Sequence, residues 1–420
     1  MEQNADSRRQ ARAQKKAKAA ARKKWLWRIG LMVGGAVLIA GIVLLITSCS
    51  HKEPPTEPEI GEDTVLHFVA GGDLNITDKL ITVGERGYDE IFRDVAPLIA
   101  DADLSALNLE GNLAGAPYGA ATGSAPQALA YALQKTGLDM VQLANSFSNS
   151  RGPSGLYATI DSAMAAGLEP VGVFKDSTQF NEKRGFSLFQ VHGVKIAVVA
   201  FTKGLNGMSL LSGNEDCVNL LYKDYDSTYQ KIDTEGINAI LDDIDRETPD
   251  LVIALVHWGS EFNDNISSTQ KSIVSLMKKA GVDVILGTHP HTLQYIEFDQ
   301  LKGTLVAYSL GDFFGDGIEG GTNYSIILDV EITKDPELGT TKVTNFSYTP
   351  IFTVKESESA DGFRRVIRVE QAMRAYEENY VDKVSDAAYA NMGKALKRIY
   401  ERVTGEEYPE ETTPETTAPG

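Results

Sequence analysis

Imidazoles and carboxylates are the side chains that bind divalent cations and exchange protons near neutral pH, and in this sequence they collect directly after short apolar runs. Val256-His257-Trp258-Gly259-Ser260-Glu261 ends one run and Leu286-Gly287-Thr288-His289-Pro290-His291 another, so three of the six histidines stand at equivalent places. Acids and amides fall the same way. Asp73 closes Ala70-Gly71-Gly72-Asp73, Asn108 and Glu110 lie in Leu107-Asn108-Leu109-Glu110-Gly111-Asn112, Asn145 opens Asn145-Ser146-Phe147-Ser148-Asn149, and Asp312 follows Ser309-Leu310-Gly311. Taken alone, each has an ordinary explanation. Gly-Gly-Asp after a strand is most often a capped turn, a single Asn or Glu there is usually solvated, and a single histidine is usually a hydrogen-bonded boundary residue. His289-Pro290-His291 is stronger, because alternate residues of an extended segment carry both rings to one side. Together these groups form the donor set of a hard or borderline divalent cation.

Competing chemistries lack their parts. The sequence contains no G-x-S-x-G for a serine nucleophile and no Walker pattern, and Gly71-Gly72 alone does not make a nucleotide-binding loop. Two cysteines, Cys49 and Cys217, are too few for a disulfide framework or a thiolate metal site. The acidic neighbours in Gly213-Asn214-Glu215-Asp216-Cys217 also work against a reactive thiolate.

Side chains so far apart in sequence meet only where several strands end together. Between residues 65 and 354 an apolar run, a turn and a helical stretch recur, which is the pattern of an α/β fold. Strands are predicted at 65–70, 104–109, 140–144, 170–174, 195–201, 251–257, 282–286 and 305–309, most of them unbroken runs suited to burial on both faces. Helices are predicted at 159–166, 236–245 and 269–280; in the last, Ile273, Leu276, Met277 and Ala280 recur at three- and four-residue steps and Gly281 gives the stop. Residues 186–191 and 194–202, joined by His192-Gly193, read as an edge hairpin. From Tyr324 to 332 and over 341–354 apolar and polar residues alternate, predicting antiparallel strands that complete a second sheet, and 382–403 reads as a terminal helix.

Charge is distributed unevenly. The chain of 420 residues carries a net charge of −18, yet its first 28 residues hold ten Lys/Arg against Glu2 and Asp6, which leaves −26 for the remainder. So acidic a body repels phosphate backbones and excludes generic nucleic-acid binding. After the basic run, Trp25 and Trp27 precede Leu31 to Thr47, which contains no charge. This reads as a transmembrane signal anchor over 25–49 with the positive side inside, placing everything beyond Cys49 outside the cytoplasm. Ile46-Thr47-Ser48-Cys49 also resembles a lipoprotein cleavage site, so anchoring through a lipidated Cys49 is the rival reading. The expected organisation is a basic cytoplasmic segment 1–24, the anchor 25–49, a Pro/Glu linker 50–63, a folded domain 64–355, a helical extension 356–404 and a disordered acidic Thr/Pro tail 405–420.

At the strand-end motifs the sequence resembles the CapA family of bacterial capsule and poly-γ-glutamate synthesis proteins, whose domain is similar to calcineurin-like metallophosphoesterases. The match runs from about Val65 to Phe314 and takes in Gly72-Asp73, Asn108-Leu109-Glu110, Ala144-Asn145, His257-Trp258-Gly259-Ser260-Glu261, Gly287-Thr288-His289-Pro290-His291 and Ser309-Leu310-Gly311-Asp312-Phe313. The resemblance implies a four-layer α/β sandwich of two mixed sheets flanked by helices, behind the N-terminal transmembrane anchor. It implies up to two divalent ions, of Mn, Zn or Mg, with Asp73 and His291 on one, His257 and His289 on the other and Glu110 between them. Asp73, Glu110, His257 and Glu261 are then the candidate catalytic residues, Glu261 orienting His257 or touching substrate. The implied partners are the membrane, an anionic polymer or its precursors, and envelope synthesis or export proteins.

Two positions depart from the family. Where it carries Ala-Asn-Asn-His, this chain has Ala144-Asn145-Ser146-Phe147, so serine replaces an implied asparagine ligand and phenylalanine an implied general acid. A phenyl ring moves no protons, and losing a general acid removes a factor of ~10²–10⁴ in rate. Asp312 stands where the family usually has Asn; Asn108, Asn145 and Asp312 are the candidates to substitute as ligands or to support them. Two functions stay open: a metal-dependent hydrolase or transferase acting on capsule or poly-γ-glutamate-type polymer, and a non-catalytic binding or assembly subunit of an envelope polymer export complex.

Overall fold

In the computed structural model, which describes residues 63–317 and 320–409, the chain builds two mixed sheets flanked by helices. Strand β1 (Thr64–Asn75) is followed by the short helices α1 (Asp78–Gly84), α2 (Tyr88–Phe92) and α3 (Ala96–Ala100), then by β2 (Leu104–Glu110). Next come α4 (Ala128–Lys135), β3 (Met140–Gln142), α5 (Gly152–Ala166), β4 (Glu169–Val171) and α6 (Ser177–Lys183). The hairpin β5 (Ser187–Val191) and β6 (Val194–Thr202) opens the second sheet. It continues through α7 (Thr234–Glu247), β7 (Leu251–His257), α8 (Ser268–Lys279), β8 (Val284–Thr288), β9 (Ile296–Asp299) and β10 (Thr304–Ala307). The chain then returns through β11 (Asp312–Phe314), β12 (Tyr324–Asp335), β13 (Thr340–Val354), β14 (Arg365–Arg368), α9 (Val369–Glu377) and α10 (Asp386–Thr404).

The first sheet has the order β14-β13-β12-β1-β2-β3-β4, with β11 also beside β1; the second runs β5-β6-β7-β8-β10-β9. Within them β1 to β4 are parallel, as are β6, β7, β8 and β10, so their carboxyl ends face the same way within each sheet. All seven residues of β7 are buried, as an unbroken apolar run requires, and all seven of β2 are buried too, its polar Ser105, Asn108 and Glu110 included. Period-two alternation sorts the second sheet's side chains. Ile196, Val198, Leu251, Ile253, Val284 and Leu286 pack into one core with the first sheet. Ala197, Val199, Val252, Ala254, Ile285 and Val306 face Ile237, Ile240 and Leu241 of α7 and Ile273 and Met277 of α8. The two helices start on their own caps: the Asp233 side chain accepts from Gly236 N, and Ser267 and Gln270 form a reciprocal capping box.

Several expectations shift. Helix α5 begins at Gly152, seven residues before the predicted start, because Pro153 sits in its first turn, where a missing N–H costs nothing. Strand β8 starts at Val284 and not 282, since Val282 N closes the preceding helix on Met277 O. The hairpin expected at an edge is there, with β5 outermost. The alternating strands after Tyr324 do not complete a second sheet: β12 lies antiparallel to β1 from Thr64–Lys334 to Ala70–Leu328 and so extends the first. Alternation reports which residues share a face, not which strand lies alongside. The stretch 356–404, expected as helical, also contributes β14, paired with β13. Gly405 caps α10, and Tyr408 packs edge-on against Tyr400.

Among the described residues no helix is long and apolar enough to cross a membrane. The basic segment 1–24, the anchor at 25–49, linker residues 50–62 and the tail from 410 onward lie outside the described residues.

Candidate metal centre

Register places the chemistry. Across the first sheet Asp312 of β11, Asp73 of β1 and Asn108 of β2 stand side by side, and across the second Thr202, His257 and Thr288 do the same. Gly72 lies within β1, not in a capped turn, and a Cβ there would run into the Gly311 carbonyl oxygen. That close approach lets Asp73 N donate to Gly311 O at 2.9 Å and brings β11 alongside.

The Asp73 carboxylate is fully buried. Its Oδ1 accepts from Asn108 Nδ2 at 2.6 Å and its Oδ2 from the backbone N–H of His289 at 3.0 Å. This second bond crosses from one sheet to the other and holds an unusual backbone. His289 and His291 adopt φ of 92° and 58°, so the segment is not extended as its alternation suggested. Left-handed conformations in non-glycine residues cost about 1–3 kcal/mol and collect at functional sites. Despite the turn, the rings of His289 and His291 converge to 6.1 Å, and that of His257 lies 4.5 Å from His289.

Glu110 sits between the histidines. His257 Nε2 donates to Glu110 Oε1 at 3.0 Å, while Glu110 Oε2 lies 3.8 Å from His291 Nε2 and has no hydrogen bond. His291 Nδ1 meets Asp312 Oδ1 at 2.8 Å, which leaves Nε2 facing Glu110. His289 Nδ1 is likewise buried without a partner, and its Nε2 is 3.4 Å from Lys203 Nζ. Three overlapping triads, Glu110/His289/His291, Asp73/Glu110/His257 and Asp73/His291/Asp312, each bring one ligand atom per residue within 4.8 Å of the others.

Electrostatics follow from this crowding. Burial, reinforced by Glu110, pushes Asp73 up to about 6; burial pushes Glu110 and Asp312 up to about 7, against the pull of His291. For His291 burial works downward, but Glu110, Asp312 and Asp73 outweigh it and hold the imidazolium up to about 11. Burial drives His257 down to about 3 and His289 well below the usual imidazole range. The centre is thus a buried excess of negative charge beside two neutral imidazoles, with two ligand-type atoms left unpaired. An unpaired buried polar atom costs about 1–3 kcal/mol, and a divalent cation is the partner that satisfies carboxylates and neutral imidazoles together.

The remaining candidates divide. Asn108 supports Asp73, as described. Asn145 is spent on structure: Nδ2 donates to Asn108 Oδ1 at 3.1 Å and Leu109 O at 2.7 Å, and Oδ1 accepts from Phe147 N. Glu261 is exposed and does not orient His257, whose ring nitrogens face Glu110 and Thr202. Ser146 is buried, and the Phe147 ring packs over Gly123. Two contributors were not foreseen. Phe262, half exposed at φ 53°, stacks on His291 at 5.4 Å. Lys203 donates to Gly259 O at 2.7 Å beside His289, and burial lowers its pKa while Glu261 opposes the shift. The available signal was its place directly after an apolar strand, Phe201-Thr202-Lys203.

Comparison with known proteins agrees with this region of the chain. The family model for the bacterial capsule synthesis protein PGA_cap matches residues 67–316. The chain is 27% identical over 288 residues to the capsule biosynthesis protein CapA of Bacillus anthracis, covering 66% of this chain and 67% of that one. It is 25% identical over 325 residues to the PGA biosynthesis protein CapA of Bacillus subtilis strain 168, covering 75% and 79%. Among solved structures, a novel phosphatase from Mycoplasma pneumoniae aligns over 69% of this chain and 95% of its own, at a TM-score of 0.41 and 14% identity. The family match spans more than half of the sequence and every residue of the buried cluster, and on that ground the chain belongs to the PGA_cap family of bacterial capsule synthesis proteins.

Proposed function

We propose that the protein is a membrane-anchored, extracytoplasmic, metal-binding member of its family that acts in synthesis, release or remodelling of an anionic capsule or poly-γ-glutamate-type surface polymer, by metal-dependent hydrolysis or transfer. One observation carries the reading: three buried carboxylates meet three imidazoles around Glu110 Oε2, which is buried without a hydrogen-bond partner. The names of the CapA relatives support the polymer class. The apolar run 31–47 behind ten basic residues supports the anchor, with lipidation at Cys49 as the other route to the same placement.

Asp73, Glu110, His257 and His291 would hold a divalent ion, Mn, Zn or Mg, and His289 would serve a second one where the centre takes two. Once bound, such an ion supplies Lewis acidity at a phosphoryl or acyl oxygen and an acidified water. The chain's own part is geometric and electrostatic. Asp312 fixes the His291 ring through Nδ1, Asn108 and the His289 N–H hold the Asp73 carboxylate, and the two sheets exclude bulk water from the ligands. Glu261 stands exposed at the rim, where it would face substrate.

A second reading is a non-catalytic binding or assembly subunit of an envelope export complex. It is favoured by Phe147, which packs on Gly123 and carries no proton for a leaving group. One experiment separates the two: the full chain in detergent, stripped with chelator and reloaded with Mn²⁺ or Zn²⁺, is assayed on phosphoesters and γ-glutamyl amides. Bound metal with turnover supports the enzyme, bound metal without turnover the subunit, and absence of bound metal refutes the metal reading. Surface proteolysis of intact cells tests the placement, since a body inside the cytoplasm stays uncut.

A further inference from the structure

We infer that the Lys203 ammonium takes the place of a second divalent ion at His289, so that this centre holds a single metal ion, among the groups that leave His289 out, Asp73/Glu110/His257 and Asp73/His291/Asp312. The inference rests on the metal-binding reading above and concerns only how many ions the centre accepts.

Lys203 is held, not dangling. Its Nζ donates to Gly259 O at 2.7 Å, lies over the Tyr229 ring at 4.9 Å and stands 3.4 Å from His289 Nε2. A carbonyl and an aromatic face are the surroundings that stabilise a cation. His289 has only two ring nitrogens to offer. With Nε2 accepting from the ammonium, the neutral ring carries its proton on the buried, partnerless Nδ1 and has no lone pair left for an ion. With Nδ1 on an ion instead, the Nε2–H points straight at the ammonium, donor against donor. Ion at His289 and ammonium at Lys203 therefore exclude one another.

The test uses the full chain in detergent, chelated and titrated with Mn²⁺, read by elemental analysis and by electron paramagnetic resonance. The wild type should bind one equivalent and show the signal of an isolated ion. Lys203→Met and Lys203→Gln, which remove the charge and free His289 Nε2, should each bind two and show a coupled pair, whereas Lys203→Arg should stay at one. Two equivalents in the wild type overturn the inference and leave the metal reading standing, and this count decides even where a variant fails to fold. One equivalent in folded Lys203→Met or Lys203→Gln also overturns it. A wild type that binds none refutes the metal reading itself, and the inference falls with it.

Discussion

Replacing Asp312 tests whether that carboxylate orients a ligand or is one. Its Oδ1 lies 2.8 Å from His291 Nδ1, while the other ring nitrogen faces the unpaired Glu110 Oε2 at 3.8 Å. A carboxylate so placed fixes the tautomer and the ring angle of a ligating imidazole, and losing such a partner costs about 10–100-fold in metal affinity. Asp312→Asn keeps an acceptor opposite Nδ1 and should sit at the low end, roughly tenfold or ~1.4 kcal/mol; Asp312→Ala removes it and should approach ~100-fold. An opposing effect is built in. Glu110, Asp312 and Asp73 hold the His291 pKa up, so wild-type His291 gives up a proton when an ion binds at Nε2, and without Asp312 that proton is held less tightly. Both variants should therefore release fewer protons per ion and show a flatter dependence of affinity on pH. Titration calorimetry of Mn²⁺ binding in buffers of different ionisation enthalpy measures the affinity and the proton count together. A loss beyond ~10³-fold in Asp312→Asn would make Asp312 a direct ligand, and unchanged affinity with unchanged proton release would remove it from the centre; either result refutes the orienting role.

Ion-free protein should lose stability from pH 6.5 to 8.5. The raised carboxylates release their last folded-state protons near 7, and His291 keeps a proton up to about 11 that the unfolded chain has already lost above 6.5, a slope of ~1.4 kcal/mol per pH unit for one retained proton. His257 and His289 stay neutral in the fold while the unfolded imidazoles still carry protons near pH 6.5, so they offset part of the loss at the lower edge and almost nothing by about pH 8; a melting temperature that rises over the upper half of this window without metal contradicts the assignment, whereas saturating Mn²⁺ should reverse the trend. Phe147→His alone should leave turnover low, and Ser146→Asn with Phe147→His should raise it by up to ~10²-fold on whichever phosphoester or γ-glutamyl amide the wild type accepts; equal recovery by the single change would show that only a proton donor was missing. Gly72→Ala should fold poorly, because its Cβ meets the Gly311 carbonyl at the strand crossing, and a melting temperature within a degree of wild type would mean that β1 and β11 separate easily.

Some of this organisation could be read from residue order and some could not. Strand β7 lies where its apolar run predicted, because seven consecutive buried residues leave no other reading. The strand-end groups Asp73, Asn108, Glu110, His257, His289, His291 and Asp312 announced themselves by type and place, and the structure brings them into one buried cluster. Neighbour choice was invisible: nothing in the alternation of β12 says that it pairs with β1, some 260 residues earlier in register. Glu261 follows His257 closely, but the chain turns at Gly259 with φ 82° and carries the acid outward. Lys203 was passed over because a lysine after a strand is ordinarily solvated, and only the approach of Gly259 and His289 from other loops gives it a role.

The division of labour between the sheets explains how the centre tolerates its altered residues. Asp73, Glu110 and Asp312 all come from the first sheet, while His257, His289 and Lys203 come from the strand ends of the second, with His291 two residues further on. Negative and positive or neutral partners therefore face each other across the line where the sheets meet, bridged by the His289 N–H to Asp73 and by His257 to Glu110. An ion bound there would tie the sheets together, so on the proposed reading metal binding should add to folding stability. Phe147 belongs to the loop after β3, with its backbone held by Asn112 and Asn145 and its ring over Gly123, away from those bridges. A change there removes a proton donor without touching the contacts that assemble the ligands. The expected outcome of this separation is metal binding with little turnover, which elemental analysis beside the phosphoester and γ-glutamyl amide assays checks; full turnover with Phe147 in place would contradict it.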